Sequence, residues 1–160
     1  MKIFKTQEEY DTIVSEAIEK AKKLSKEDEE VFVQIFVDNA NGEQYQFSLD
    51  NDGKHIVKSK TKMDSDGVPE LDEDGKEIIE VEEGVCYLAF HKEPNIYTQI
   101  KCLDLISIKK YFEAGFMMFD VCFMSNESDS IFKNKKAYKS GLCSMMASSL
   151  ELRMPILKKN

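Results

Sequence analysis

The chain has 160 residues, 42% of them hydrophobic and 32% charged, and a formal net charge of −8. That is the size of one ordinary domain, 1–160, able to bury a core without disulfides or a structural metal and too apolar for wholesale disorder. The acidity disfavours a nucleic-acid partner, the N-terminus shows no apolar stretch of the kind a signal peptide needs, and no apolar run approaches the length of a membrane span, so a cytoplasmic setting is expected.

The charge is unevenly laid out. Between Asp64 and Glu83 ten acids face Lys76 alone, whereas Lys133 to Asn160 holds seven bases and only Glu151. An acidic middle and a basic end are the most informative feature of the composition. Cys86, Cys102, Cys122 and Cys143 are widely spaced, without the close pair typical of zinc sites, and three of them lie in apolar runs. They read as small buried hydrophobes in a reducing compartment, and neither a metal nor a cofactor is expected.

In chain order, Thr6-Gln-Glu-Glu9 has the capping-box pattern, and Tyr10, Ile13, Val14, Ala17, Ile18, Ala21 and Leu24 recur at helical spacing, which predicts a helix over 7–24. Val31–Val37 is dense in β-branched and aromatic residues and predicts a strand. Asn41-Gly42 then predicts a tight hairpin in which both residues take positive φ. Residues 44–49 and 54–59 extend the meander across a second turn at Asp52-Gly53. Residues 60–76 hold almost nothing apolar and are expected to form an exposed acidic loop or hairpin tip. Further strands are expected from Ile78, over 85–90, over 96–102 and over the apolar run 116–124. A short helix is expected near 104–114, capped by Gly115, then a polar turn at 126–130 and a helix over 141–153 ended by Pro155. This order predicts an α+β fold: a mainly antiparallel sheet of five to seven strands, with an N-terminal helix, the short helix and a C-terminal helix packed on it. No internal repeat stands out beyond turn chemistry.

Three constellations bear on function. Asp50-Asn-Asp-Gly53, Asp64-Ser-Asp-Gly67 and Asp72-Glu-Asp-Gly75 resemble fragments of calcium loops, but no frame completes the ligand pattern, and turn chemistry alone accounts for Asp-Gly. Asp120 and Cys122 would share a face of the strand expected there, so a small enzyme or ligand-binding cleft around them is the rival reading. Lys133, Lys135, Lys136 and Lys139 beside Phe132 and Tyr138 carry no arginine for bidentate readout and are taken as a solvated loop. The last helix is apolar around much of its circumference, with Leu142, Met145 and Met146 along one side.

The leading expectation is a non-enzymatic, intracellular protein-binding domain. Asp64, Asp66, Glu70, Asp72, Glu73 and Asp74 would steer a basic protein partner, while Leu142, Met145 and Met146 supply an apolar patch or a homo-oligomer contact through the C-terminal helix. In size and charge the chain resembles small intracellular inhibitor or immunity proteins.

Overall fold

In the computed structural model, which describes residues 1–152, Thr6 opens the first helix as the sequence requires. Its Oγ1 accepts from the Glu9 amide at 3.1 Å, while the Glu9 carboxylate reaches back to the Lys5 amide at 2.6 Å. The elements are β1 (Lys2–Phe4), α1 (Gln7–Leu24), β2 (Val31–Asn39), β3 (Ser48–Leu49), β4 (His55–Ile56), β5 (Ser59–Thr61), β6 (Ile79–Val81), β7 (Gly84–Lys92), α2 (Ile96–Ser107), α3 (Tyr111–Cys122), α4 (Ile131–Asn134) and α5 (Lys136–Leu152). The fold is α+β with antiparallel pairing, but the single sheet of five to seven strands is replaced by three small ones. These are β1-β7-β2 and the two-stranded pairs β3-β4 and β5-β6. β3 to β6, of two or three residues each, pair only with their hairpin partners.

Internal contacts divide the chain into one unit of residues 1–16 and 35–87 and another of 17–34 and 88–160. In the first, β1 pairs with β7 in the register Lys2↔Cys86 to Phe4↔Gly84. Phe4 is fully buried at its centre, with ring centroids 5.2 Å from Tyr10, 5.3 Å from Tyr45 and 6.5 Å from Phe47. The remainder of this unit is a series of hairpins.

The second unit is mainly helical. Its α3 and α5 pack closely, because Gly115 of α3 lies where an added Cβ would stand 2.2 Å from the Cys143 carbonyl oxygen. Residues 123–129 run along β7: the Met124 amide donates to the Phe90 carbonyl at 2.9 Å, and Asp129 Oδ2 accepts from the Leu88 amide at 2.8 Å.

Here the sequence expectations need correction. Residues 96–102 and 116–122 are helical, not extended; of the second expected strand Phe123 alone pairs as a strand does, in a bridge to His91. Thr98, Cys102 and Ile106 are buried on α2, and Ala114, Met118 and Cys122 on α3, each at the four-residue spacing of a helix face. Asn95 decides the first case: its side chain caps α2 by accepting from the Thr98 amide at 2.9 Å. The short helix expected near 104–114 is instead the junction of α2 and α3. Gly115 lies inside α3 and caps nothing. α2 is capped by Ile108, and Lys109 follows it at φ 62°, with the paired bonds Lys109 N–H to Ile106 O and Lys110 N–H to Leu105 O of a Schellman turn. Glycine suits that conformation better, so Lys109→Gly should raise stability by about 0.5–1 kcal/mol in urea unfolding. The last helix begins at Lys136, earlier than expected; its expected end at Arg153–Pro155 lies outside the described residues.

Candidate functional site

The turns of the first unit obey one rule. In Asn39–Glu43, Asp50–Lys54, Asp64–Val68 and Asp72–Lys76 the amide of the first residue donates to the carbonyl of the fifth, at 2.7–3.0 Å, and the glycine amide donates to the carbonyl of the first, at 3.0–3.1 Å. The first residue's Oδ1 accepts from the third and fifth amides in every copy. Gly42, Gly53, Gly67 and Gly75 take φ of 76–78°, and the third residue does not go positive, so the primed turn expected at Asn41-Gly42 is a four-fold repeated turn with one left-handed glycine. Each turn is closed by a pair six residues apart: Asp38↔Gln44, Leu49↔His55, Met63↔Pro69 and Leu71↔Glu77. A repeat is therefore present, and its aspartates are engaged in holding their own loops. Among the described residues no group of three metal-ligating side chains comes together.

The last two hairpins meet at a junction. The Lys62 amide donates to Ile78 O, the Ile78 amide to Glu70 O and the Glu70 amide to Lys62 O, at 2.8–2.9 Å, so three segments eight residues apart close a ring. The stem below it is β5-β6, in the register Ser59↔Val81, Lys60↔Glu80, Thr61↔Ile79. Tyr45 anchors that stem: its buried hydroxyl donates to Glu82 O at 2.9 Å and accepts from the Lys58 amide at 3.0 Å.

This register sorts the side chains. Directly paired residues, and residues two apart, share a face. Thr61, Met63, Pro69, Leu71, Glu77 and Ile79 therefore lie on one face, and Lys60, Lys62, Glu70, Ile78 and Glu80 on the other. The second face is charged, with Lys62 and Glu70 paired at 2.7 Å. The first is apolar and open: Met63 is 53% exposed, Leu71 58% and Ile79 58%. Asp64, Asp66, Asp72, Glu73 and Asp74 are exposed in the loops around it, none of them in an ion pair among the described residues. Of the acids expected to form a binding surface, five thus surround one apolar face and Glu70 belongs to the reverse.

The apolar half of the expected site stands differently. Leu142 and Met146 are fully buried in the packing of α5, which corrects their assignment to a patch; only Met145, 40% exposed, reaches the surface. Other exposed apolar residues of the helical unit lie on and between α2 and α3, among them Ile96, Tyr97, Ile108, Tyr111, Phe112 and Phe116. Lys139 lies over the Phe116 and Phe119 rings, at 5.4 and 4.4 Å from their centroids, and Lys135 over Tyr138 at 5.9 Å. The lysines expected to form a solvated loop belong to α4, α5 and the residue between them.

Asp120 and Cys122 do not share a face, because residues two positions apart on a helix lie about 200° apart. Asp120 is exposed and Cys122 buried. Burial pushes the thiols of Cys86, Cys122 and Cys143 up to about 11 and raises that of Cys102. The Tyr10 hydroxyl, also desolvated, is pushed up to about 12. These groups are kept neutral by the fold, whereas in the unfolded chain thiols ionise from about pH 9. Their contribution to stability is whole below that pH and is lost as the pH climbs toward 11. Urea unfolding should accordingly be flat from pH 7 to about 8.5 and weaken steadily above about 9, and a thiol reagent at neutral pH should leave Cys122 unlabelled until denaturant is added. Fast native labelling of Cys122 would restore the enzyme reading.

Polar groups converge at one further place. Tyr10 Oη is 3.1 Å from His55 Nδ1, Lys54 holds Asp11 at 2.7 Å, and Ser15 and Val14 complete an open cleft of about 440 Å³. The hydrogen bond from Lys54 is the main cause of a lowered Asp11 pKa, and it raises that of Lys54 in turn. His55 stacks on Phe47 at 4.7 Å, so its ring is held by packing. Sequence reasoning missed the pair, since Tyr10 and His55 are 45 residues apart with no motif linking them.

Comparison of the chain with family models, curated proteins and solved structures gives no match. Among the described residues no helix is long and apolar enough to cross a membrane.

Proposed function

We propose that this chain is a non-enzymatic, intracellular protein-binding domain of the inhibitor, immunity or adaptor kind, and that its binding surface is the open face of the three-way hairpin junction. The observation that carries the reading is Met63, Leu71 and Ile79 exposed together amid unpaired carboxylates, since apolar side chains ringed by like charge match a surface made for a partner of opposite charge. Main-chain hydrogen bonds, the repeated turns and the Tyr45 latch make that face rigid, which lowers the ordering cost of association. The partner would be a basic protein surface with apolar side chains of its own.

The test is capture from the native host with two baits, the unaltered protein and a variant carrying Asp66→Asn, Glu73→Gln and Asp74→Asn. Those three carboxylates hold no turn through Oδ1, so the fold is retained. Basic proteins should be enriched by the first bait and lost from the second. An identical captured set from both baits would contradict the proposal.

A further inference from the structure

The basic partner that the acidic face calls for has a counterpart in the chain itself. On α4, α5 and the residue joining them, Lys133, Lys135 and Lys136 are exposed, with no ion pair among the described residues. The same helical unit exposes the Phe112 and Phe116 rings, with Lys139 above Phe116. One unit therefore offers aliphatic side chains ringed by carboxylates, and the other offers aromatic side chains attended by ammonium groups. The two units thus expose charge of opposite sign, and each exposes apolar side chains as well.

We propose that the occupant of the acidic junction is the basic, aromatic surface of a second copy of this chain, in a head-to-tail contact. The inference rests on reading the junction as a protein-binding face, and it names the partner. Two different patches meet, so the contact is heterologous, and each copy keeps one free patch of each kind for the next. The net charge of −8 opposes association at long range, but fields are screened over about 8 Å at physiological salt, so at contact the local patches decide.

Sedimentation velocity tests this at about 50 mM salt, from low micromolar protein to about 1 mM. The unaltered chain should form dimers and longer species as concentration rises, and association should weaken at least about tenfold near 0.5 M salt. Two variants are then compared: an acid-neutral one (Asp66→Asn, Glu73→Gln, Asp74→Asn) and a base-neutral one (Lys133→Gln, Lys135→Gln, Lys136→Gln). Each alone should stay monomeric. Mixed in equal amounts they retain one intact acidic face and one intact basic face, so they should form a 1:1 dimer that grows no further. That result also shows that both variants are folded. Monomers of the unaltered chain at every concentration, association of either variant like the unaltered chain, or a mixture that stays monomeric would each overturn the second-copy contact. Loss of captured basic proteins by the acid-neutral bait, with the unaltered chain monomeric throughout, would leave the protein-binding reading standing and refute only this one.

Discussion

Gly115→Ala is expected to cost at least about 3 kcal/mol, enough to unfold a large fraction of a marginally stable domain. The methyl would meet the Cys143 carbonyl oxygen at 2.2 Å and the carbonyl carbon at 2.7 Å, and both are backbone atoms inside α5. Neither can rotate away as a side chain would. The only relief is separation of α3 from α5, which opens a gap beside Leu142, Cys143 and Met146, all fully buried. Chemical unfolding monitored by circular dichroism measures the loss; a cost under about 1 kcal/mol would mean that the two helices are not in contact at this point.

Phe4→Ala is the second large effect, at about 3–5 kcal/mol. The ring is fully buried against Tyr10, Tyr45 and Phe47, and it fits over Gly84 only because that residue has no Cβ, which would lie 2.2 Å from the ring. The consequence for the candidate site runs through Tyr45. Once the Phe4 ring is gone, the Tyr45 ring loses a neighbour 5.3 Å away, and its hydroxyl is what ties Lys58 to Glu82 at the base of the β5-β6 stem. Hydrogen exchange at the amides of Lys58, Lys62 and Ile78 should therefore quicken in this variant by more than global destabilisation explains. Tyr45→Phe should reproduce the local effect with a smaller total cost, about 1–3 kcal/mol, because it removes the hydroxyl and keeps the packing.

How much of this was legible in the sequence differs from element to element. Helix α1 was readable from its apolar period and capping box, and strands β2 and β7 from runs dense in β-branched and aromatic residues. The runs 96–102 and 116–124 misled because a short, almost continuous apolar stretch fits a buried strand as well as a buried helix. The deciding signals were Asn95 as a cap and burial at every fourth residue, which only packing reveals. The turn repeat is legible three times through its aspartates; the fourth copy carries Asn39, whose side-chain oxygen does the same work. The apolar face was not legible at all. Met63, Leu71 and Ile79 are eight residues apart in a strongly acidic stretch, and only the register of the two hairpins and their stem places them on one side. Leu142 and Met146 failed in the opposite sense, since an apolar helix circumference does not say which part a neighbouring helix covers.

The central claim, that the acidic junction is a binding surface, is tested most directly by association kinetics against the basic partner that capture identifies. The rate is measured over a range of ionic strength for the unaltered protein and for the Asp66→Asn, Glu73→Gln, Asp74→Asn variant. Exposed charges steer encounter more than they hold the complex, so the variant should associate about tenfold more slowly at low salt, with a flatter salt dependence and a dissociation rate changed by less than about threefold. An association rate and salt slope equal to those of the unaltered protein would contradict the account and leave the carboxylates as the solvated margin of two tight turns.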